Sequence, residues 1–284
     1  VVHRNDVVFN YQPLAYILPS LVYLPLSSLV RQTGEQFINR NWVDAQPSSF
    51  IPLLTVYKLP MILADLAMLW LLPKFFKKDK NKKLVQLVWA FNPLAIFVSS
   101  IMGQMDIVIA FLLTLALYYF KEHKLFLSVV FISLSALIKP AGLILLPLVL
   151  IPEIRRQHYR QTILLGLAGL GTYIIGILPF IGSASYRYYA LFAEQINKST
   201  YAGISIASGT DIPFFFMAYL YILLLFWSKK ISFKTAFGTA LLSSLAFTHF
   251  HPQWLVWITP WLIIYSVKKH SFILYLATLV CWFG

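Results

Sequence analysis

Runs of apolar residues recur along this chain at lengths that a water-soluble core does not need, and they leave little choice of fold. Bounded by charge or turn residues, they fall near 51–72, 85–102, 106–120, 125–138, 141–152, 162–182, 211–228, 235–250, 252–267 and 271–284. A helix crosses about 30 Å of hydrocarbon with roughly 20 predominantly apolar residues. The runs are continuous rather than alternating, which disfavours a strand barrel, and lipid offers no hydrogen bonds to an open sheet edge. With 59% apolar and only 12% charged residues among 284, a soluble globule would lack the polar surface to cover itself. The sequence therefore predicts an all-α fold, a polytopic helical transmembrane bundle of about ten spans.

Charge gives the bundle a direction. Lys74, Lys77, Lys78, Lys80, Lys82 and Lys83 lie in one loop, and later clusters are Lys121 with Lys124, then Arg155, Arg156 and Arg160, then Lys229, Lys230 and Lys234, then Lys268 with Lys269. Only Asp79, Glu122 and Glu153 share these loops, so they hold the entire net charge of +13. Ten spans in the order given put every basic loop on one face, which the positive-inside rule makes cytoplasmic. That parity requires 125–152 to be two short helices divided at Lys139-Pro140-Ala141-Gly142. The basic excess thus reports topology, and nucleic acid is excluded as a partner.

The chain begins at Val1 without a methionine or a recognisable signal peptide and stops just after an apolar run, so we expect a fragment of a longer protein. Residues 1–50 form an outer or interfacial segment, and 51–284 a single transmembrane helical domain truncated at both ends. Pro13, Pro19 and Pro25 recur every six residues and favour a bent interfacial segment over a straight span, with the crossing alternative open. The long outer segment 183–210, with Tyr186, Arg187, Tyr188, Tyr189 and Glu194, is long enough to cover a site. Its Asn197-Lys198-Ser199 matches a glycosylation acceptor, a pattern that chance often produces. Cys281 is the single cysteine and packs in an apolar run, so no disulfide or structural zinc framework exists.

Few ionisable residues lie at membrane depth, where each costs a few kcal/mol and normally faces protein or a water-filled cavity. On the derived topology Gln104, Asp106, Lys139, His249 and His251 all map to turns at the outer face. Each has a bland alternative. Asp106 can serve as a helix cap or a first-turn carboxylate, and Lys139 can snorkel to the interface. On a helix His249 and His251 would point to different faces, which makes them weak metal ligands. Lys58 and Asp65 share one face of the 51–72 helix but stand about 10 Å apart along it. Asp65 is read chiefly as a hydrogen-bonding hold on a neighbouring helix, with part of an ion path as the alternative.

A shared outer cavity with these groups is equipped for glycosyl transfer. A carboxylate can take a proton from an acceptor hydroxyl, while lysine, histidine and glutamine donors can hold a leaving phosphate. Trp254, Trp257 and Tyr188 can stack on sugar faces, although interfacial aromatic belts are the ordinary explanation.

Several motifs resemble, in order, those of the C-superfamily of polyprenyl-phosphate-sugar-dependent glycosyltransferases, in the branch related to the second GPI-anchor mannosyltransferase and its bacterial relatives. They are Phe9-Asn10-Tyr11-Gln12-Pro13-Leu14, Lys58-Leu59-Pro60 with Asp65, Asn92-Pro93, Gly103-Gln104-Met105-Asp106 and Lys139-Pro140. The resemblance runs from about residue 9 to 152. It implies transfer of a hexose, most commonly mannose, from a polyprenyl-phosphate donor at the outer face, with inversion and without a nucleotide sugar. The family's usual Asp in the first outer loop has no counterpart here beyond Asp6, which lies too near Tyr11 and Pro13 for that role. His249-Phe250-His251-Pro252-Gln253 stands where GPI-branch relatives tend to show His-Glu-Arg-Tyr.

The resulting expectation is a multi-pass cell-membrane glycosyltransferase with its site on the extracytoplasmic face. Asp106 and Gln104 are the catalytic candidates. Lys139, His249 and His251 are expected to bind substrate phosphate, with Lys58 and Asp65 as secondary binding candidates. No cofactor is assigned, a divalent metal being the open alternative, and the acceptor is a lipid, a glycan or a protein. The rival functions are a lipid-glycan flippase or transporter and a noncatalytic membrane subunit.

Overall fold

The computed structural model describes residues 11–38, 50–192, 201–207, 210–249 and 251–283. It is nearly all helical. In chain order the helices are α1 (Leu14–Ile38), α2 (Phe50–Leu71), α3 (Asp79–Ala90), α4 (Pro93–Ile96), α5 (Asp106–Lys121), α6 (Leu125–Ala136), α7 (Leu146–Arg155), α8 (Tyr159–Ile177), α9 (Ala184–Tyr186), α10 (Phe214–Trp227), α11 (Phe233–Phe247), α12 (Thr259–Lys269) and α13 (Ile273–Phe283). Glu194, the Asn197-Lys198-Ser199 pattern and Asp6 lie outside the described residues.

Helix lengths separate full spans from broken ones. Among the described residues α1 (over Leu14–Arg31), α2 with the turn that follows it, and α8 are long and apolar enough to cross a membrane. A fourth crossing arises if α3 and the segment Pro93–Met102 count as one span bent by 47°. The expected count of ten is not carried by these lengths, because several apolar runs are interrupted. The run near 85–102 breaks at Asn92-Pro93, where the Asn92 side chain accepts from the Leu94 and Ala95 N–H groups and proline opens the next turn. The run at 252–267 divides into a 3-10 turn, Pro252–Trp257, and α12. The division of 125–152 falls where Lys139-Pro140 places it: Lys139 is extended, as a residue before proline prefers, and a 3-10 segment, Pro140–Leu145, leads into α7.

The α1 region, left open by its prolines, is one continuous helix that contains Pro19 and Pro25. The segment after α8 holds a feature the apolar pattern did not reveal, an antiparallel hairpin of β1 (Gly203–Ala207) and β2 (Thr210–Pro213).

Helix α5 sits at the centre, with eleven of its sixteen residues buried. At 1.5 Å per residue it runs about 24 Å, from Asp106 at one end to Lys121 at the other. The basic loops gather at the Lys121 end. Lys121 Nζ donates to the Lys74 carbonyl at 3.1 Å, and Arg155 Nη1 donates to the Phe226 and Trp227 carbonyls at 2.9 and 3.1 Å. Burial first, then the charges of Lys234 and Lys121, push the Lys268 ammonium down to about 8. These contacts gather a lysine-rich end at the opposite end of α5 from Asp106.

Candidate active site

Asp106 is the first residue of α5 and has no exposed surface. It is delivered there by a wide-turn segment, Phe97–Met102, closed by Gly103 in the left-handed conformation (φ 65°). A Cβ at Gly103 would stand 2.7 Å from Lys58 Cγ, so both the backbone angle and the space call for glycine. Capping is not what Asp106 does. Its Oδ1 accepts from Lys139 Nζ at 2.7 Å and from Trp257 Nε1 at 2.9 Å. Its Oδ2 is buried with no partner among the described residues. A buried acceptor left unpaired costs roughly 1–3 kcal/mol, so this oxygen is a place where a donor gains.

Lys139 reaches Asp106 from the α6–α7 connection and is almost fully withdrawn from solvent rather than snorkelling outward. Its ammonium lies 4.9 Å from the Trp254 ring, 5.5 Å from Trp257 and 5.6 Å from Tyr11. Aromatic faces attract a desolvated cation. The 3-10 turn explains the pairing of the tryptophans. With three residues per turn, positions i and i+3 eclipse, and the Trp254 and Trp257 rings stack at 5.1 Å.

Asp106, Gln104 and Lys139 lie on the wall of a cavity of about 770 Å³ that continues between α1 and α2, where Tyr11, Tyr16, Tyr23 and Tyr57 line it. This volume is in the range of small-molecule sites. Tyr11 is held over Lys139 by its neighbour. Gln12, buried, donates from Nε2 to the Ala190 carbonyl at 3.0 Å and accepts from the Tyr186 hydroxyl at 2.5 Å, while Leu14 N–H donates to the Leu137 carbonyl at 2.9 Å. Burial first, and then the nearby Asp106 charge, raise the Tyr11 phenol above its ordinary value.

Other sequence candidates fall elsewhere. Lys58 Nζ donates to the Ser100 and Ile101 carbonyls at 3.1 and 2.8 Å. Asp65 accepts from Trp89 Nε1 at 2.8 Å and from Ser99 Oγ at 2.7 Å. Both residues thus grip the wide-turn segment that carries Gln104 and Asp106, and neither is on the cavity wall. His249 and His251 are not on a helix. His251 is extended, and the two rings lie 6.0 Å apart. His251 then contacts Trp254 at 5.4 Å. Among the described residues no three His, Cys, Asp or Glu side chains gather as a metal-ligand set.

Residues 45–281 match the family model of Glycosyltransferase family 87. The chain belongs to that family. It is accordingly a membrane protein of glycosyltransferase type, acting in a lipid bilayer on a glycosyl donor and an acceptor. Membership supports the glycosyltransferase superfamily that the motifs resemble, and not the narrower GPI-anchor branch. No curated protein and no solved structure matches the chain.

Three residues of the family 87 chain that matter to this geometry were not singled out for it in the sequence. Trp257 was read as a ring for stacking on sugar or for an interfacial belt and not as a donor to Asp106, and Gln12 and Tyr186 are 174 positions apart. The repeat of tryptophan at i and i+3 after His251-Pro252 was the one signal available for the first.

Proposed function

We propose that this family 87 protein transfers a hexose, with mannose the first choice, from a polyprenyl-phosphate-linked donor to a lipid, glycan or protein acceptor at the extracytoplasmic face of the cell membrane. The observation that carries the reading is the buried Asp106 carboxylate: one oxygen is held by Lys139 and Trp257, and the other has no partner among the described residues beside the tyrosine-lined cavity. The lysine-rich end is assigned to the cytoplasm by the positive-inside rule, which puts Asp106 outside.

The roles follow from the chemistry. The acceptor hydroxyl donates to Asp106 Oδ2, and its oxygen bonds to the sugar's anomeric carbon as the bond from that carbon to phosphate oxygen breaks. The hydroxyl proton passes to Asp106, and polyprenyl phosphate leaves with one more negative charge. As the carboxylate is neutralised, its hold on the Lys139 ammonium weakens at the moment the departing phosphate needs a cation. Gln104, on the same wall, hydrogen-bonds the sugar. Attack opposite to the leaving phosphate inverts the anomeric centre. Lys58 and Asp65 position the Gln104–Asp106 turn.

The test uses the full-length protein in detergent with labelled polyprenyl-phosphate hexoses and an extract of candidate acceptors. Transfer by wild type that is lost in Asp106→Asn supports the assignment. No transfer from any hexose donor, together with movement of a lipid-linked glycan across proteoliposomes, would instead establish a transporter.

A further inference from the structure

A row of rings leads from the surface to the buried carboxylate. Tyr201, 71% exposed just before the hairpin, contacts His249 at 5.4 Å between ring centroids. His249 contacts His251 at 6.0 Å, His251 contacts Trp254 at 5.4 Å, and Trp254 stacks on Trp257 at 5.1 Å. Trp257 ends the row by donating to Asp106 Oδ1. Both histidines are exposed, Trp254 is half-buried and Trp257 is buried, so the row descends steadily from solvent into protein. None of these five rings lines the tyrosine cavity between α1 and α2. Two separate approaches therefore meet at Asp106 and Lys139.

We propose that this row is a saccharide-binding subsite that guides the sugar portion of the acceptor to Asp106. The proposal rests on the hexosyltransferase reading above and narrows its acceptor to a molecule that already carries sugar. A hexose ring has C–H faces that settle on aromatic rings and hydroxyls that pair with imidazole nitrogens, whereas an acyl chain gains nothing from histidine. Anchoring belts place tryptophan and tyrosine singly around the perimeter at headgroup depth. Here the rings touch in sequence, two of the five are histidines, and the inner end meets a carboxylate with one oxygen that has no partner among the described residues and is suited to a hydroxyl donor. The donor is left the tyrosine-lined cavity.

Binding and transfer are measured separately on the full-length protein in detergent. Tryptophan fluorescence is titrated with the methyl glycosides of mannose, mannobiose and mannotriose, and with the glucose series in parallel. Wild type is expected to give a saturable change with at least one series, tightening with the number of sugar units. Tyr201→Ala and His251→Ala are expected to weaken binding of the trisaccharide two- to ten-fold, the range of a lost aromatic contact, and to raise the acceptor KM by the same factor without moving the donor KM. His251→Phe keeps a ring and is expected to restore most of the affinity, which separates loss of the platform from loss of fold. Sugar binding that the alanine variants weaken, without transfer from any donor, would sink the transferase reading and leave the subsite standing. Transfer by wild type with an acceptor KM unmoved in both alanine variants, or no saturable change with either sugar series, would overturn the subsite.

Discussion

Asp65 and Asp106 both stand on apolar helices, and their carboxylates are treated differently. Asp65 has a donor on each oxygen, Trp89 Nε1 on one and Ser99 Oγ on the other. Asp106 has two donors on one oxygen and none among the described residues on the other. A polar group whose capacity is filled by its own protein ties elements together, and one left partly unfilled beside a cavity is available to a ligand. Asp65 is thus the structural member of the pair and Asp106 the reactive one. The sharpest way to break this contrast is Asp106→Asn, which keeps size and hydrogen-bond acceptance at one atom but cannot take a proton. Transfer is expected to fall by roughly a hundred-fold or more, the scale of a lost general base, in a protein that still folds in detergent but with a lowered thermal midpoint, because the Lys139 ammonium loses its counter-charge. Transfer within a few-fold of wild type would move the proton acceptor elsewhere.

Lys139 is the next largest handle, because its removal strands the charge it pairs with. Lys139→Ala leaves the Asp106 carboxylate buried against Trp257 alone, and removing one partner of a buried pair costs about 3–5 kcal/mol. The double variant Asp106→Asn with Lys139→Met removes both charges and is expected to be clearly more stable than Lys139→Ala. Equal stabilities for the two in denaturation or thermal assays would mean that the pair contributes no coupling. Donor affinity in Lys139→Arg, which retains a cation in a different shape, distinguishes phosphate binding from a purely local role for the lysine.

Much of this contrast was readable from composition and spacing, and the part that was not has physical reasons. Apolar runs and lysine clusters announced a helical bundle with one basic end, since both depend on residues close in sequence. Lys139-Pro140 marked a break because proline constrains the residue before it. Gly103 before Gln104 and Asp106 marked a turn that ends at a helix start. The number of spans was not legible, because 3-10 and wide-turn segments retain the hydropathy of a helix while interrupting its length. Nor was the convergence itself. Trp257 reaches Asp106 across 151 positions and Tyr186 reaches Gln12 across 174, and no local pattern encodes such pairs. The approach of the two histidine rings was not legible for a related reason: periodicity does not show that the chain is extended at His251 just before Pro252.

Asp65→Asn tests the other half of the contrast. The amide oxygen still accepts from Trp89 Nε1, while the amide nitrogen meets Ser99 Oγ, which must turn from donor to acceptor, so two charge-assisted bonds become neutral ones. A stability loss of about 1–2 kcal/mol is expected, the difference between charged and neutral hydrogen bonds. Transfer per folded molecule should stay within a few-fold of wild type, with donor and acceptor KM unchanged. Loss of transfer comparable to that of Asp106→Asn, in a protein that remains folded, would place Asp65 in the reaction and dissolve the distinction.

The smallest effects belong to the link between the two carboxylates. Lys58 bonds to the Ser100 and Ile101 carbonyls, immediately before Gly103 turns the chain toward Asp106. Lys58→Met keeps the length of the stem and the packing against Gly103 but frees both carbonyls, at an expected cost of about 1 kcal/mol at this partly exposed position. Because the turn then wanders rather than unfolds, kcat is expected to drop a few-fold while both KM values hold, and Lys58→Arg should recover part of the rate. A rise in donor KM with kcat intact would show instead that Lys58 touches the substrate, and would extend the reactive region along α2 toward Asp65.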